Sequence, residues 1–352
     1  MSILNDILRN AVAAKASDIH ITVGSPPLYR IHTVVAPSDF PICTPEGTVR
    51  LAREMMNDKR WADFEEKRDS DFSHEIPGIS RFRVNAHFQR NSVALSIRTI
   101  NDKVRPIEQL FLPEIVNKLT FLPRGLILVT GPTGSGKSTT LAGMVDSINR
   151  REQGHIITLE DPIEYAFISN KCSIEQREVG ADVPSFASGL RHVLRQDPDT
   201  ILVGEMRDLE TVSAAITAAE TGHLVFSTLH TVNAPQTIER IIDVYPAAEQ
   251  NQIRSMLANT LQAVISQTLF KRCDQPGMIP GVEIMLCTPG VRNCIRENRI
   301  FEIPNIIATS RALGMQSLDD SIKHLFVNGF ITKEDAVAQA AHPEKLERSL
   351  AA

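Results

Sequence analysis

The segment GLILVTGPTGSGKSTTLAGMVDSI, residues 125–148, constrains this chain more than any other. An apolar, β-branched run reads as a buried strand ending at Thr130. An amphipathic run from about Lys137 reads as a helix. Between them Gly131, Pro132, Thr133, Gly134, Ser135, Gly136, Lys137 and Ser138 spell GxxxxGK[ST], with Thr139 following in the first turn. The glycines let the backbone wrap around phosphate oxygens, while loop N–H groups and the helix N-terminus supply positive potential. In that setting Lys137 is expected to neutralise β- and γ-phosphate charge, and Ser138 to bind Mg2+. The expected cofactors are ATP and Mg2+.

A strand feeding such a helix belongs to a mostly parallel sheet, and more strands of that kind follow: HIITLE, TILVGE and HLVFST. Continuous apolar runs alternating with helices predict an α/β domain covered on both sheet faces. Ligands in such sheets bind at the carboxyl edge of the strands. Glu205 in DTILVGEMRD falls there, placed to hold the metal shell or orient attacking water. Glu160, Asp161 and Glu164 of HIITLEDPIEY crowd the end of another strand, where carboxylates repel unless a cation or basic group compensates them. A solvated acidic loop is the competing reading. In GHLVFSTLH the two histidines stand at opposite ends of one strand, about 23 Å apart if extended. His230 lies on the ligand edge as a candidate γ-phosphate sensor. For His223, capping or packing is an equally good account.

At 352 residues the chain calls for two domains. Residues 1–100 read as a smaller α+β domain. Ile3, Leu4, Ile7, Leu8 and Val12 give a short amphipathic helix, residues 46–68 read as helical, and SRFRVNAHFQRNSVALSIRTI is a hairpin. Phe82, Val84, Ala86 and Phe88 alternate with Arg81, Arg83, Asn85 and His87; after a turn at Arg90–Asn91–Ser92, Val93, Leu95 and Ile97 alternate with Ala94, Ser96 and Arg98. Residues 101–122, with Pro106 and Pro113, read as a linker to an ATPase domain over 123–352, with C-terminal helices from about 289.

A net charge of −5 gives no global basic field to recruit nucleic acid, so no nucleic-acid partner is expected. Five scattered cysteines without a CxxC pair argue against a disulfide framework or a structural zinc site. Asp6 and Arg9 break up any secretory signal core, and no apolar run approaches the ~20 residues of a membrane span. A cytoplasmic protein without a direct membrane span is the expectation.

GPTGSGKST, ITLEDPIEY, ILVGEMRDLETVSAAITAAETGHLVFSTLHT and VNAPQTIERIIDVYP together resemble the four signature regions of the secretion-type hexameric ATPases, the type II/IV secretion family. These regions are the Walker A, Asp, Walker B and His boxes. The resemblance extends from SDIHITVGSPP near the start to GMQSLDDSIKHLFVNGFITKEDAVAQA near the end. It implies a RecA-like P-loop NTPase domain behind a PAS-like N-terminal domain. Within the family the chain is most similar to the branch that retracts type IV pili, because Gly290–Glu297, GVRNCIRE, resembles that branch's C-terminal motif. Cys294 stands where the motif has leucine, and LYRIHTVVAPSD lacks a glycine turn usual in the N-terminal domain. Assembly ATPases tend to be longer and carry a four-cysteine zinc insertion, which is absent here.

The resemblance implies a homohexameric, Mg2+-dependent ATPase that couples motion between its two domains to pilus disassembly and twitching motility. It would lie peripherally at the inner membrane against the pilus platform protein, with related pilus ATPases as further partners. An accessory retraction ATPase fits the same residues. Glu205 and Glu164 share metal coordination and water activation, in an order the residues leave open. Arg81, Arg83 and Arg98 would reach a neighbouring subunit's phosphates, a task suited to a permanently charged, forked donor; a solvated basic strand face is the plain alternative. Arg195, Arg207 and Arg240 are further phosphate-site candidates, and GVRNCIRE is expected to couple hydrolysis to retraction. Two rival readings stay open: an assembly, secretion or DNA-transfer ATPase, and a non-catalytic nucleotide-binding adaptor.

Overall fold

The computed structural model describes residues 2–31, 33–100 and 104–351. His32 of LYRIHTVVAPSD and the first three residues of the expected linker, 101–103, lie outside them. The chain divides into two compact units, Met1–Lys103 with Pro162–Ala166, and Val104–Asp161 with Phe167–Ala352. Among the described residues no helix is long and apolar enough to cross a membrane.

The first unit runs α1 (Ile3–Ala13), β1 (Asp18–Ile21), β2 (Leu28–Ile31), β3 (Val34–Pro37), α2 (Pro45–Met55), α3 (Asp58–Lys67), β4 (Asp69–Ile76), β5 (Ser80–Gln89) and β6 (Ser92–Ile100). Its six strands form an antiparallel sheet in the order β3-β2-β1-β6-β5-β4. Leu4, Ile7, Leu8 and Ala11 of α1 are buried at helical spacing in one core with Phe82, Val84, Ala86, Leu95 and Ile97 of the hairpin. Arg90 (φ 47°) and Asn91 (φ 60°) form the hairpin's two-residue turn, both left-handed as the strand twist requires. The helix expected over 46–68 is two helices, because Asn57 leaves helical geometry and its side chain accepts from the Arg60 N–H at 2.9 Å, capping a new start. Where the usual glycine is missing, Thr33 takes φ 73°, a β-branched residue in a region glycine enters freely.

The second unit comprises a 3-10 turn at Ile107–Gln109, α4 (Glu114–Leu119), β7 (Gly125–Thr130), α5 (Lys137–Arg151), β8 (His155–Glu160), β9 (Ser173–Glu178), α6 (Phe186–Val193), β10 (Thr200–Val203), α7 (Leu209–Glu220) and β11 (Leu224–Leu229). It continues with α8 (Ala234–Asp243), α9 (Gln250–Thr260), β12 (Leu261–Lys271), β13 (Met278–Leu286), α10 (Pro289–Arg296), α11 (Ile303–Thr309), α12 (Leu318–Val327), α13 (Lys333–Ala338) and α14 (Pro343–Ala351). The sheet order is β13-β12-β7-β11-β10-β8-β9, with every pair parallel except the edge hairpin β12–β13.

The apolar strand runs have the expected cause. Along β7, Leu126 and Leu128 enter the core beneath α6–α11, while Ile127 and Val129 enter the core beneath α5. Along β10, Ile201 and Val203 face the first core and Leu202 the second. Each such side chain contributes about 1.5–3 kcal/mol on leaving water, which is why strands covered on both faces read as apolar runs. Residues 104–122 are not a bare linker: Ile107, Leu110, Val116 and Leu119 are buried in the α5-side core. Helices α12–α14 cover the far end of the β12–β13 hairpin through Phe270, Ile279, Ile322, Leu325 and Leu346.

Candidate nucleotide site

The loop between β7 and α5 is shaped by three glycines with φ of 142° (Gly131), 81° (Gly134) and 89° (Gly136). A Cβ on Gly131 would lie 2.2 Å from the Gln267 carbonyl oxygen, and one on Gly136 2.7 Å from Gln267 Nε2; at Gly134 there is open space. Lys137 opens α5 and is buried, its ammonium donating to the carbonyls of Gly131 (2.8 Å) and Pro132 (3.0 Å). Ser135 is 3% exposed, and its hydroxyl has no hydrogen-bond partner among the described residues. Pro132, Thr133 and Gly134 are exposed, and Ser138 and Thr139 are half-buried on the first turn of α5. A cradle that excludes Cβ atoms, a buried ammonium and an orphan hydroxyl make a donor set suited to phosphate oxygens.

Strand register brings the other boxes to the same edge. Thr130 at the end of β7 is paired with Leu229 of β11, and the Gly131 N–H donates to the Leu229 carbonyl at 3.3 Å. Thr228 Oγ1 donates to the Gly204 carbonyl at 2.6 Å and the Met206 N–H to the Thr228 carbonyl at 3.1 Å, stitching β11 to the turn after β10. Glu205 therefore projects beside His230. One carboxylate oxygen is ion-paired with the Arg207 guanidinium, and the other lies 3.2 Å from His230 Nε2. The Glu205 side chain is 15% exposed, whereas that of Arg207 is 72% exposed.

The acids after β8 divide. Glu160 is buried and accepts from Thr158 Oγ1 (2.7 Å) and Gln176 Nε2 (3.1 Å). Asp161 is exposed at the same strand end, and Glu164 belongs to the segment that groups with the first unit. His223 caps: its Nδ1 is 2.9 Å from the Ala218 carbonyl at the end of α7, and its own carbonyl accepts from the Gly125 N–H.

The arginines are not equivalent. Arg30, Asp18, Arg98, Arg83 and Ser73 are successive cross-strand partners across the first unit's sheet. Asp18 pairs with Arg98 (3.0 Å) and Arg30 (3.7 Å). Burial pushes its carboxyl up, but the Ser17 hydroxyl and Arg98, helped by Arg30, hold it below the usual carboxylate range. Arg81 donates to Ser73 Oγ at 2.8 Å and lies 3.7 Å from Glu75. Arg83 is exposed and makes no ion pair among the described residues. Arg195 is not brought to the nucleotide edge: its loop packs Gln196 and Asp197 carbonyls on His155, which opens β8 at the opposite edge. Arg240 is exposed in the last turn of α8.

Of GVRNCIRE, Val291, Cys294 and Ile295 are buried in the core on one face of α10. Arg292 donates to the Asn259 carbonyl (3.0 Å) and Gln262 Oε1 (3.1 Å) and also bonds the Ala258 carbonyl, closing the C-terminal end of α9. Arg296 and Glu297 are left exposed.

Two residues that sequence reasoning missed hold the site from β12 and β13: Gln267 and Glu283. No motif marks either. The Ala234 N–H donates to Glu283 Oε1 at 2.8 Å, so Glu283 fixes the start of α8, the helix entered from His230. Burial pushes the Glu283 carboxyl above its ordinary 4.5, and Asp319 adds to the rise. An acid with a raised folded pKa contributes stability below its unfolded value that is lost as pH rises through the folded one. Glu283→Gln keeps the acceptor and is expected to unfold at a higher temperature than wild type at pH 8, with the gap closing as pH falls below 4.5. Thermal unfolding at both pH values checks this; a gap independent of pH contradicts it.

The sequence model of the family described as "Type II/IV secretion system protein" matches residues 1–314. The chain is 48% identical over 341 residues to a Pseudomonas aeruginosa protein named type IV pilus retractation ATPase PilT, covering 97% of this chain and 99% of that one. It is 46% identical over 320 residues to a Neisseria gonorrhoeae protein named twitching motility protein, covering 91% and 86%. The crystal structure of a pilus retraction motor, PilT with bound ADP, superposes with a TM-score of 0.91 at 45% identity, covering 99% of each chain.

Proposed function

This chain belongs to the type II/IV secretion system protein family, and on that premise we propose that it is an ATP-hydrolysing motor powering type IV pilus retraction and twitching motility. The observation that carries the reading is the convergence of Lys137, Glu205 and His230 on one sheet edge, on a chain similar throughout its length to retraction ATPases.

In this reading the loop Gly131–Ser138 binds the phosphates, and Lys137 exchanges its bonds to the Gly131 and Pro132 carbonyls for phosphate oxygens. Ser138 with Glu205 or Glu164 would hold Mg2+, which when bound neutralises phosphate charge. Glu205 orients and deprotonates the attacking water, and His230, touching its carboxylate, reports the γ-phosphate to the chain beyond β11. The subunits form a homohexamer at the cytoplasmic face of the inner membrane, docked on the pilus platform protein. Within it Arg83 is the arginine of the N-terminal sheet best suited to a neighbour's phosphates, since Asp18 and Glu75 already lie beside Arg98 and Arg81.

The coupling role of GVRNCIRE falls to its exposed residues, because deleting the whole motif would remove three core side chains and the closure of α9. Arg296→Ala with Glu297→Ala is expected to leave ATP turnover within about twofold of wild type, as surface substitutions usually do. Twitching of complemented cells should nonetheless be lost. Wild-type twitching from this variant would remove the coupling role.

A further inference from the structure

Gln267 touches the phosphate loop at both of its ends. Ser266 of β12 lies alongside Thr130, the last residue before the loop, and accepts its hydroxyl at 2.9 Å. The next residue, Gln267, is 5% exposed. Its Nε2 donates to the Ser135 carbonyl at 2.7 Å, and its Oε1 accepts from Thr140 Oγ1 in the first turns of α5 at 2.8 Å. Its backbone oxygen occupies the space a side chain on Gly131 would need. One residue thus sets the entrance of the loop, its exit and the helix that follows.

The bond to Ser135 has a directional consequence. In a trans peptide the carbonyl and the following N–H point opposite ways. Drawing the Ser135 carbonyl onto Gln267 therefore turns the Gly136 N–H away from the Gln267 carboxamide and fixes the orientation of that peptide in the loop. The Ser135 carbonyl can only accept, so the amide nitrogen must face the loop, and the Thr140 hydroxyl then donates to the oxygen at the amide's other end and anchors it.

We propose that Gln267 is a positioning residue for nucleotide binding, its carboxamide holding the phosphate loop in the form that receives nucleoside di- and triphosphates. The inference rests on the reading of this loop as the nucleotide site. It goes beyond that reading by assigning the loop's shape to a strand outside the signature boxes. Because the contact is to the loop and not to the γ-phosphate edge, ADP and ATP are affected alike.

Titration of the full-length protein with fluorescent ADP and ATP analogues in Mg2+ tests this, using Gln267→Met, Gln267→Glu, Thr140→Val and Thr140→Ser. Gln267→Met keeps volume and burial but loses both bonds; Gln267→Glu keeps the Thr140 bond and turns a carboxylate oxygen on the Ser135 carbonyl. Both are expected to weaken ADP and ATP by about tenfold or more, the equivalent of a lost buried hydrogen bond. The turnover rate at saturating ATP should change far less. Thr140→Val should weaken binding by a smaller factor, and Thr140→Ser should restore it. A purely packing role would lower the unfolding temperature of the nucleotide-free variants yet leave the ADP affinity of the folded protein unchanged, and that result would overturn the proposal. Failure of the wild type to bind either nucleotide would instead overturn the reading of the loop on which it rests.

Discussion

Glu205→Gln is expected to cut steady-state ATP turnover by about 10²- to 10⁴-fold, the usual contribution of a positioned general base, while ADP and ATP still bind. Glutamine has nearly the shape of glutamate, so the strand end, its stitching to Thr228 and the contacts with Arg207 and His230 are kept in outline. What is lost is the capacity to take a proton from water. Both carboxylate oxygens are engaged, one by Arg207 and one by His230. Each oxygen keeps a further lone pair, so the carboxylate can accept a bond from the attacking water with both partners in place. Phosphate release under saturating ATP measures the effect. If Glu205→Gln turns over like wild type while Glu164→Gln does not, the base is Glu164 and not Glu205.

Gly131→Ala is expected to abolish measurable nucleotide binding, a loss of more than about a hundredfold. The new Cβ would lie 2.2 Å from the Gln267 carbonyl oxygen and 2.6 Å from Ser135 Oγ, on a backbone at φ 142° that L-residues rarely adopt. The strand cannot step aside, because β12 is bonded on one side to β7 and on the other to β13. Gly134→Ala is the control: it meets nothing within 4 Å, so only the strain of φ 81° remains, about 1–3 kcal/mol. The two should therefore separate clearly in a titration with Mg–ADP. Equal behaviour would mean that backbone strain alone, and not the approach of β12, makes glycine necessary at position 131.

The parts of this molecule that announce themselves in the sequence are those whose local chemistry has one physical solution. A buried strand, a glycine-rich turn and a helix opening on Lys137 leave few alternatives, and register then carries Glu205 and His230 to the same edge without further information. The hairpin β5–β6 is legible for a similar reason, since alternation and two left-handed turn residues specify it together. Its neighbour β4, DSDFSHEI, mixes polar residues on both faces, and β9, SIEQRE, is a polar edge strand; neither carries a period to read. Strand β12 follows α9 without an intervening glycine or proline, with the helix ending at Thr260 and the strand starting at Leu261. That leaves Gln267 invisible as a site residue. Arg195 is near the boxes in sequence, but within the chain a four-residue strand separates it from the edge where they meet.

The central claim is that ATP hydrolysis at this edge drives removal of pilus subunits. The most direct measurement is deletion of the gene in its own piliated host, scored for surface pili and twitching and complemented with wild type or Glu205→Gln. The account predicts more surface pili and no twitching in the deletion strain, with both reversed by the wild-type gene and not by Glu205→Gln. A deletion strain without pili would place the motor in assembly, and restoration of twitching by Glu205→Gln would contradict hydrolysis at Glu205 as its source of work.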